Sequence, residues 1–170
     1  MSRSVYIGFG SNLGDRKLIF HETLRALRNL PKTLVTGKSR LYETDPVGLS
    51  DQGPKFLNAV IALETDLSPR ELIDRMRAIE ATLGKSASHR SDLSRPIDLD
   101  LLLYGEEHFL DNTMEIPHPR MHNRAFVLLP LAELAPKVFV PTFRCTVEDL
   151  VRKLSDREIA GVQILDSEND

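Results

Sequence analysis

Apolar and polar residues alternate over four stretches of the chain, and between them run two segments of helical period. Residues 4–9 (Ser-Val-Tyr-Ile-Gly-Phe) predict a first strand that ends at Gly10. A helix follows from about Asp15 to Leu30, with Phe20, Leu24 and Leu27 as its buried stripe. Leu34 to Thr44 alternates as a strand and runs into a turn-rich stretch, Asp45 to Lys55. Phe56 to Thr65 has the clearest alternation: Leu57, Ala59, Ile61 and Leu63 face one way, Phe56, Asn58 and Val60 the other. The next helix is announced by the capping box Ser68-Pro69-Arg70-Glu71, with proline at the first helical position. Leu72, Ile73, Met76, Ile79 and Leu83 form its apolar face, and Gly84 is placed to end it. Lys85 to Pro96 is polar and aperiodic, hence a loop, and Ile97 to Tyr104 is a fourth strand.

The order β-α-β-β-α-β is that of a ferredoxin-like α+β core, an antiparallel sheet with helices packed on one face. A C-terminal α/β extension adds a segment around Arg124–Leu134 and a helix near Thr146–Leu154. The expectation is a single domain over residues 1–170, with a core of about 4–136 and an extension of about 137–170. Many activities use such a core, so the fold alone selects none.

Composition narrows the setting. Charged residues make up 28% of the 170 positions, yet the formal net charge is only -3 and Lys and Arg are scattered. They cluster only at Arg120–Arg124, which argues against nucleic acid and leaves room for a small anionic ligand. The one cysteine, Cys145, cannot form an internal disulfide. No apolar run approaches the ~20 residues of a membrane span, and the N-terminus lacks the apolar segment of a signal peptide. A cytoplasmic location is the expectation.

Four segments could carry chemistry. In Ile97-Asp98-Leu99-Asp100-Leu101-Leu102-Leu103, period two puts Ile97, Leu99, Leu101 and Leu103 on one face and both carboxylates on the other. Two residues along a strand separate their Cα atoms by about 6.5–7 Å. Such a pair suits Mg²⁺, which takes hard oxygens and usually only one or two carboxylates beside substrate phosphates. The alternative is a strand face open to water. In Pro117-His118-Pro119-Arg120-Met121-His122-Asn123-Arg124 the histidines have zinc-pair spacing, but Pro119 interrupts any helix and no cysteine stands nearby. Two arginines and two histidines suit phosphate oxygens, and an exposed basic loop is the alternative.

Gly8-Phe9-Gly10-Ser11-Asn12-Leu13-Gly14 is one residue too long for a dinucleotide fingerprint. Gly10 and Gly14 fit a strand-to-helix turn, with Ser11 or Asn12 meeting the first helical amides. Phe56 and Asn58, side by side on one strand face, suit a flat heterocycle by stacking and edge hydrogen bonds, unless they simply pack under the loop. Glu80, at the margin of the second helix, either orients groups in a site or faces solvent.

Taken together the segments resemble the 6-hydroxymethyl-7,8-dihydropterin pyrophosphokinase family. The matching pieces run in family order: Gly10-Ser11-Asn12-Leu13-Gly14, Leu41-Tyr42-Glu43-Thr44 with Pro46-Val47-Gly48, Phe56-Leu57-Asn58-Ala59-Val60, Ile79-Glu80 with Leu83-Gly84, Arg95 with Asp98-Leu99-Asp100, and Pro117-His118-Pro119-Arg120 with Arg124 and Phe126-Val127-Leu128. The resemblance implies transfer of pyrophosphate from Mg-ATP to the hydroxymethyl oxygen of the pterin, releasing AMP, in folate biosynthesis. It implies that Asp98 and Asp100 hold two Mg²⁺ ions. It places Ile73, Lys85, Arg95, Leu101, His118, Arg120 and Arg124 at ATP, with Arg95 and Arg124 catalytic beside the aspartates. It places Thr44, Val47, Gly48, Phe56, Asn58 and Phe126 at the pterin, the two phenylalanines sandwiching the ring. The expected partners are those two small molecules, for a monomeric enzyme without nucleic acid or membrane.

One region departs from the family. Relatives carry arginines and a tryptophan in the loop that closes over the substrates, whereas Lys85 to Ser94 has Ala87 and Asp92 at about those places and the chain has no tryptophan. A slow or non-catalytic pterin- or nucleotide-binding module is therefore the alternative reading, and a relative that uses another pterin or purine-like acceptor is a second.

Overall fold

The computed structural model describes residues 2–45, 53–84 and 96–165. The elements run β1 (Arg3–Ser11), α1 (Arg16–Arg28), β2 (Thr33–Lys38), β3 (Tyr42–Thr44), β4 (Phe56–Thr65), α2 (Pro69–Leu83) and β5 (Asp98–Tyr104). Then come β6 (Phe109–Leu110), β7 (Glu115–Ile116), α3 (Ala125–Leu134), β8 (Phe139–Val140), β9 (Cys145–Thr146), α4 (Val147–Arg152), α5 (Asp156–Ala160) and β10 (Val162–Ile164). The main sheet is ordered β10-β3-β4-β1-β5 and is antiparallel throughout, with β2 also on β4. The ferredoxin-like order is intact, since β5, β1 and β4 stand side by side with the β2/β3 edge beyond them.

Two expected strands carry irregularities. The single strand expected over Leu34–Thr44 is split into β2, which pairs Thr33–Lys38 along the far half of β4, and β3, which pairs Tyr42–Thr44 along its beginning. Between them the Ser39 amide donates to the Val60 carbonyl (2.8 Å), and the Val60 amide donates to the Ser39 hydroxyl (2.9 Å). A side-chain oxygen thus stands in for a strand carbonyl, and the chain steps aside without stranding a buried amide. On β5, Ile7 pairs with Leu101 and Tyr6 with Leu103, so Leu102 is an extra residue in the ladder. This bulge shifts the alternation by one. Leu103, expected beside Ile97, Leu99 and Leu101, joins Leu102 on the other face instead.

The core lies in two layers. Phe20, Leu24 and Leu27 of α1 and Leu72, Met76 and Ile79 of α2 pack on the Leu57, Ile61 and Leu63 face of the sheet. The two core helices thus share one face as expected, and the C-terminal extension covers the opposite one. Leu128 and Leu131 of α3 and Val147 and Leu150 of α4 lie against Val60, Leu102 and Leu103. α3 is apolar nearly all round because sheet and α4 enclose it. The capping box of α2 is formed as expected, and a second one, Thr146 with Asp149, starts α4. The cap of α1 is Asp15, whose carboxylate accepts from the Leu18 amide (3.1 Å). Ser11 does not cap it: its hydroxyl donates to the Pro96 carbonyl (2.5 Å) and ties the end of β1 to the start of β5. Gly14, at φ +75°, makes the left-handed turn between β1 and α1.

Candidate active site

Register decides which side chains meet on the face opposite α1 and α2. Residues paired across antiparallel strands share a face, so one row reads Asp98, Gly10, Asn58, Tyr42, and the next reads Asp100, Gly8, Val60. Phe56 and Thr44 form a third row nearer the strand ends. α3 and α4 cover Val60 and the bulge, leaving the Asp98–Gly10–Asn58 end of the face outside their core cluster. The two glycines form a floor without side chains between the carboxylates and the amide. A Cβ added to Gly10 would lie 3.4 Å from the Asn58 Oδ1. Asn58 and Thr44 are both buried, and the Asn58 Nδ2 donates to the Thr44 Oγ1 (2.8 Å). A donor and an acceptor are thereby held in one orientation beside the half-buried ring of Phe56.

A third carboxylate stands at the outer edge of β5. The Leu99 amide, between Asp98 and Asp100 in sequence, donates to the Glu80 carboxylate (3.0 Å). Burial pushes the Glu80 carboxyl above its ordinary value, and the negative charges of Asp98 and Asp100 add to the rise. The Leu99 bond and Arg77 pull the other way. Glu80 is therefore half-buried and engaged, and the solvent-facing reading of it does not hold. It lines a cleft of about 190 Å³ with Ile73 and Arg77 of α2, Asp100 and Leu101 of β5, and His118. That is below the roughly 300–1,000 Å³ of a whole-ligand pocket, so the cleft suits one end of a larger ligand.

The basic segment closes the other side. The His118 amide donates to the Leu102 carbonyl (3.0 Å), which fixes the histidine against β5. Burial lowers the His118 pKa, as do Arg124 and Arg120, while Asp98 and Glu115 raise it. Its Nδ1 accepts from the Arg120 amide (3.2 Å), so the neutral ring presents an Nε2–H donor. The Arg124 guanidinium lies over the ring of Phe126, 5.6 Å from its centroid, in the first turn of α3. His122 packs instead on Phe143, with centroids 4.4 Å apart, and does not join His118 as a metal pair.

Among the described residues no three or more His, Cys, Asp or Glu side chains form a metal cage. Two carboxylates on one strand face, both partly exposed beside cationic groups, fit Mg²⁺, which completes its shell with water and phosphate oxygens. Val47, Gly48, Lys85 and Arg95, and the loop Lys85 to Ser94, lie outside the described residues.

Residues 6–136 match the family model described as 7,8-dihydro-6-hydroxymethylpterin-pyrophosphokinase. The chain belongs to this family. It is 42% identical over 144 residues to the 2-amino-4-hydroxy-6-hydroxymethyldihydropteridine pyrophosphokinase of Pseudomonas aeruginosa, covering 85% of this chain and 88% of that protein. With the enzyme of the same name from Bacillus subtilis the identity is 41% over 138 residues, 81% of each chain. Among solved structures, the HPPK-DHPS of Plasmodium falciparum with pterin and p-hydroxybenzoate superposes with a TM-score of 0.71 at 14% identity. That match covers 90% of this chain but 43% of the Plasmodium chain, so this chain spans less than half of that protein. These relatives are named as enzymes, which disfavours the non-catalytic reading.

Within this pyrophosphokinase family fold, the residues gathered at the site include three that carry no such assignment in the sequence. The sequence assigns Gly10 to the strand-to-helix turn and Gly8 only to the first strand, although their register against Asp98 and Asp100 makes them the floor. Their role depends on the register of β1 against the aspartate strand, which no local pattern supplies. Arg77 in the cleft carried no signal, because an arginine on the polar margin of a helix reads as solvated surface.

Proposed function

We propose that the chain transfers the β,γ-pyrophosphoryl group of Mg-ATP to 6-hydroxymethyl-7,8-dihydropterin in folate biosynthesis. The pterin hydroxymethyl oxygen attacks the β-phosphorus, the bond from that phosphorus to the α,β-bridging oxygen breaks, and AMP leaves. The hydroxyl proton passes to water. The observation that carries this reading is the pairing of Asp98 and Asp100 with Gly10 and Gly8, one residue across from Asn58. A carboxylate pair, an open floor and a fixed amide then stand in line, which suits a metal-bound phosphate chain meeting a flat heterocycle.

In this reading Asp98 and Asp100 hold two Mg²⁺ ions. Ions held there would supply positive charge to the phosphate oxygens, and transfer of this kind depends mainly on positioning and on cations. His118, Arg120 and Arg124 bind phosphate oxygens, Arg124 and Arg95 act beside the aspartates in catalysis, and Lys85 joins Arg95 at the nucleotide. Ile73 and Leu101 line the base end of the cleft. Asn58, Thr44, Val47 and Gly48 bond the pterin edge, and Phe56 and Phe126 flank its ring. The enzyme is read as a monomer, with residues 4–136 as the core of a single domain. A cytoplasmic location agrees with the lone cysteine, and no described helix is long and apolar enough to cross a membrane.

The test is turnover in Asp98→Ala and Asp100→Ala. Each should reduce pterin-dependent AMP formation by orders of magnitude and leave the thermal midpoint unchanged or higher, because a like-charge pair is relieved. Near-normal turnover with Mg²⁺ in either variant contradicts the assignment.

A further inference from the structure

The last described strand, β10, has no role in the reading above, and its position gives it one. It pairs antiparallel with β3: Val162 with Thr44, Gln163 with Glu43, Ile164 with Tyr42. β3 is only three residues long, yet it carries Thr44, which holds the Asn58 amide. Without β10 it would be a bare edge, attached to β4 through three residue pairs. α5, begun by a capping box at Ser155, is capped by Gly161 and leads the chain directly into β10. Beyond β10 the Leu165 amide donates to the Leu41 carbonyl (2.9 Å), and the Leu165 side chain packs on the main core. The tail is thus fastened at the far end of β3. Register also extends the site: Phe56, Thr44 and Val162 form one row across three strands, all on the face of the aspartates.

We propose that β10 is a positioning element for the pterin-binding edge, with Val162 as the outer wall beside Thr44. This rests on the assignment of Thr44 and Asn58 to the pterin. Pinning β3 from its open side fixes the Thr44 hydroxyl, and with it the orientation of the Asn58 amide. A buried polar pair reads a ligand edge well only when its own geometry is held. ATP meets the opposite side of the floor, along β5 and His118, and is indifferent to the tail.

A matched pair of full-length variants isolates the effect. Amides two residues apart along a strand point the same way, so the Gln163 N–H faces β3 as the Leu165 N–H does. Gln163→Pro removes that donor, whereas Gln163→Ala changes only an exposed side chain. Steady-state AMP release should give a pterin KM about tenfold higher for Gln163→Pro. Its ATP KM should stay within about twofold of the parent, and Gln163→Ala should match the parent in both. Deuterium exchange should accelerate over residues 40–45 and leave β1 and α2 as they were. An unchanged pterin KM, an equal rise in both KM values, or faster exchange throughout the chain would overturn the proposal. Asn58→Ala, measured alongside, separates the two ideas. If it weakens pterin binding while Gln163→Pro does not, the tail has no positioning role. If neither variant affects pterin binding, the pterin site itself has been misplaced.

Discussion

The Asn58 side chain has one amide hydrogen committed to the Thr44 hydroxyl and its oxygen poised above a glycine, so its direction is set before any ligand arrives. Removing it should leave a ligand edge without a partner. Asn58→Ala is expected to cost about 1–3 kcal/mol of pterin affinity, or roughly one to two decades, by calorimetry. Gly10→Val makes the complementary change. Its Cβ falls 3.4 Å from the Asn58 oxygen and its methyl groups occupy the floor, so pterin affinity should fall by at least tenfold; parent-like affinity would show that the floor is not used. The two aspartates were legible in the sequence because a charged residue repeated at period two in an apolar strand is conspicuous. The glycines were not. A missing side chain acquires meaning only from neighbours, and those of Gly10 lie on β4 and β5, far along the chain.

Among the elements, those with local rules were readable and those set by partners were not. The capping box at Ser68 and the alternation of Phe56–Thr65 contain their own instructions, and both elements formed as expected. The break at Ser39 depends on a hydroxyl meeting the Val60 amide, and the bulge at Leu102 on packing across Gly8. Neither contact is local. β3 is tied to α3 in the same long-range way. The Tyr42 hydroxyl donates to Glu133, which also accepts from the Arg40 amide (2.8 Å) and pairs with its guanidinium (3.2 Å). Burial, then the Glu133 carboxylate, pushes the Tyr42 pKa up to about 12 from 10.0. Between those values the native state keeps a proton that the unfolded chain has lost, so stability falls as pH rises through this window. The contribution is complete below pH 10 and gone above the folded pKa. Urea midpoints at pH 8 and pH 11 should show that decline, and Tyr42→Phe should show a smaller one. An identical decline in both would mean that Tyr42 ionises as it does in the unfolded chain.

At the scale of the whole molecule, the core order followed from the sequence of strands and helices, while the second layer did not. α3 was legible as an apolar segment, but period alone could not say that it would lie on the sheet face opposite α1 and α2. That placement brings Arg124 and Phe126 to the side of the sheet that bears Asp98 and Asn58. In the proposed reading it turns a common fold into a two-sided site, with phosphate chemistry along β5 and heterocycle recognition along β3 and β4. In the proposed transfer the phosphorus attacked is the β-phosphorus. This is tested most directly by ³¹P NMR of the chain with Mg-ATP and 6-hydroxymethyl-7,8-dihydropterin. ATP signals should give way to AMP and a pterin diphosphate in equal amounts, with no reaction when the pterin is left out. ADP with a pterin monophosphate, or AMP formed at the same rate without pterin, would contradict it.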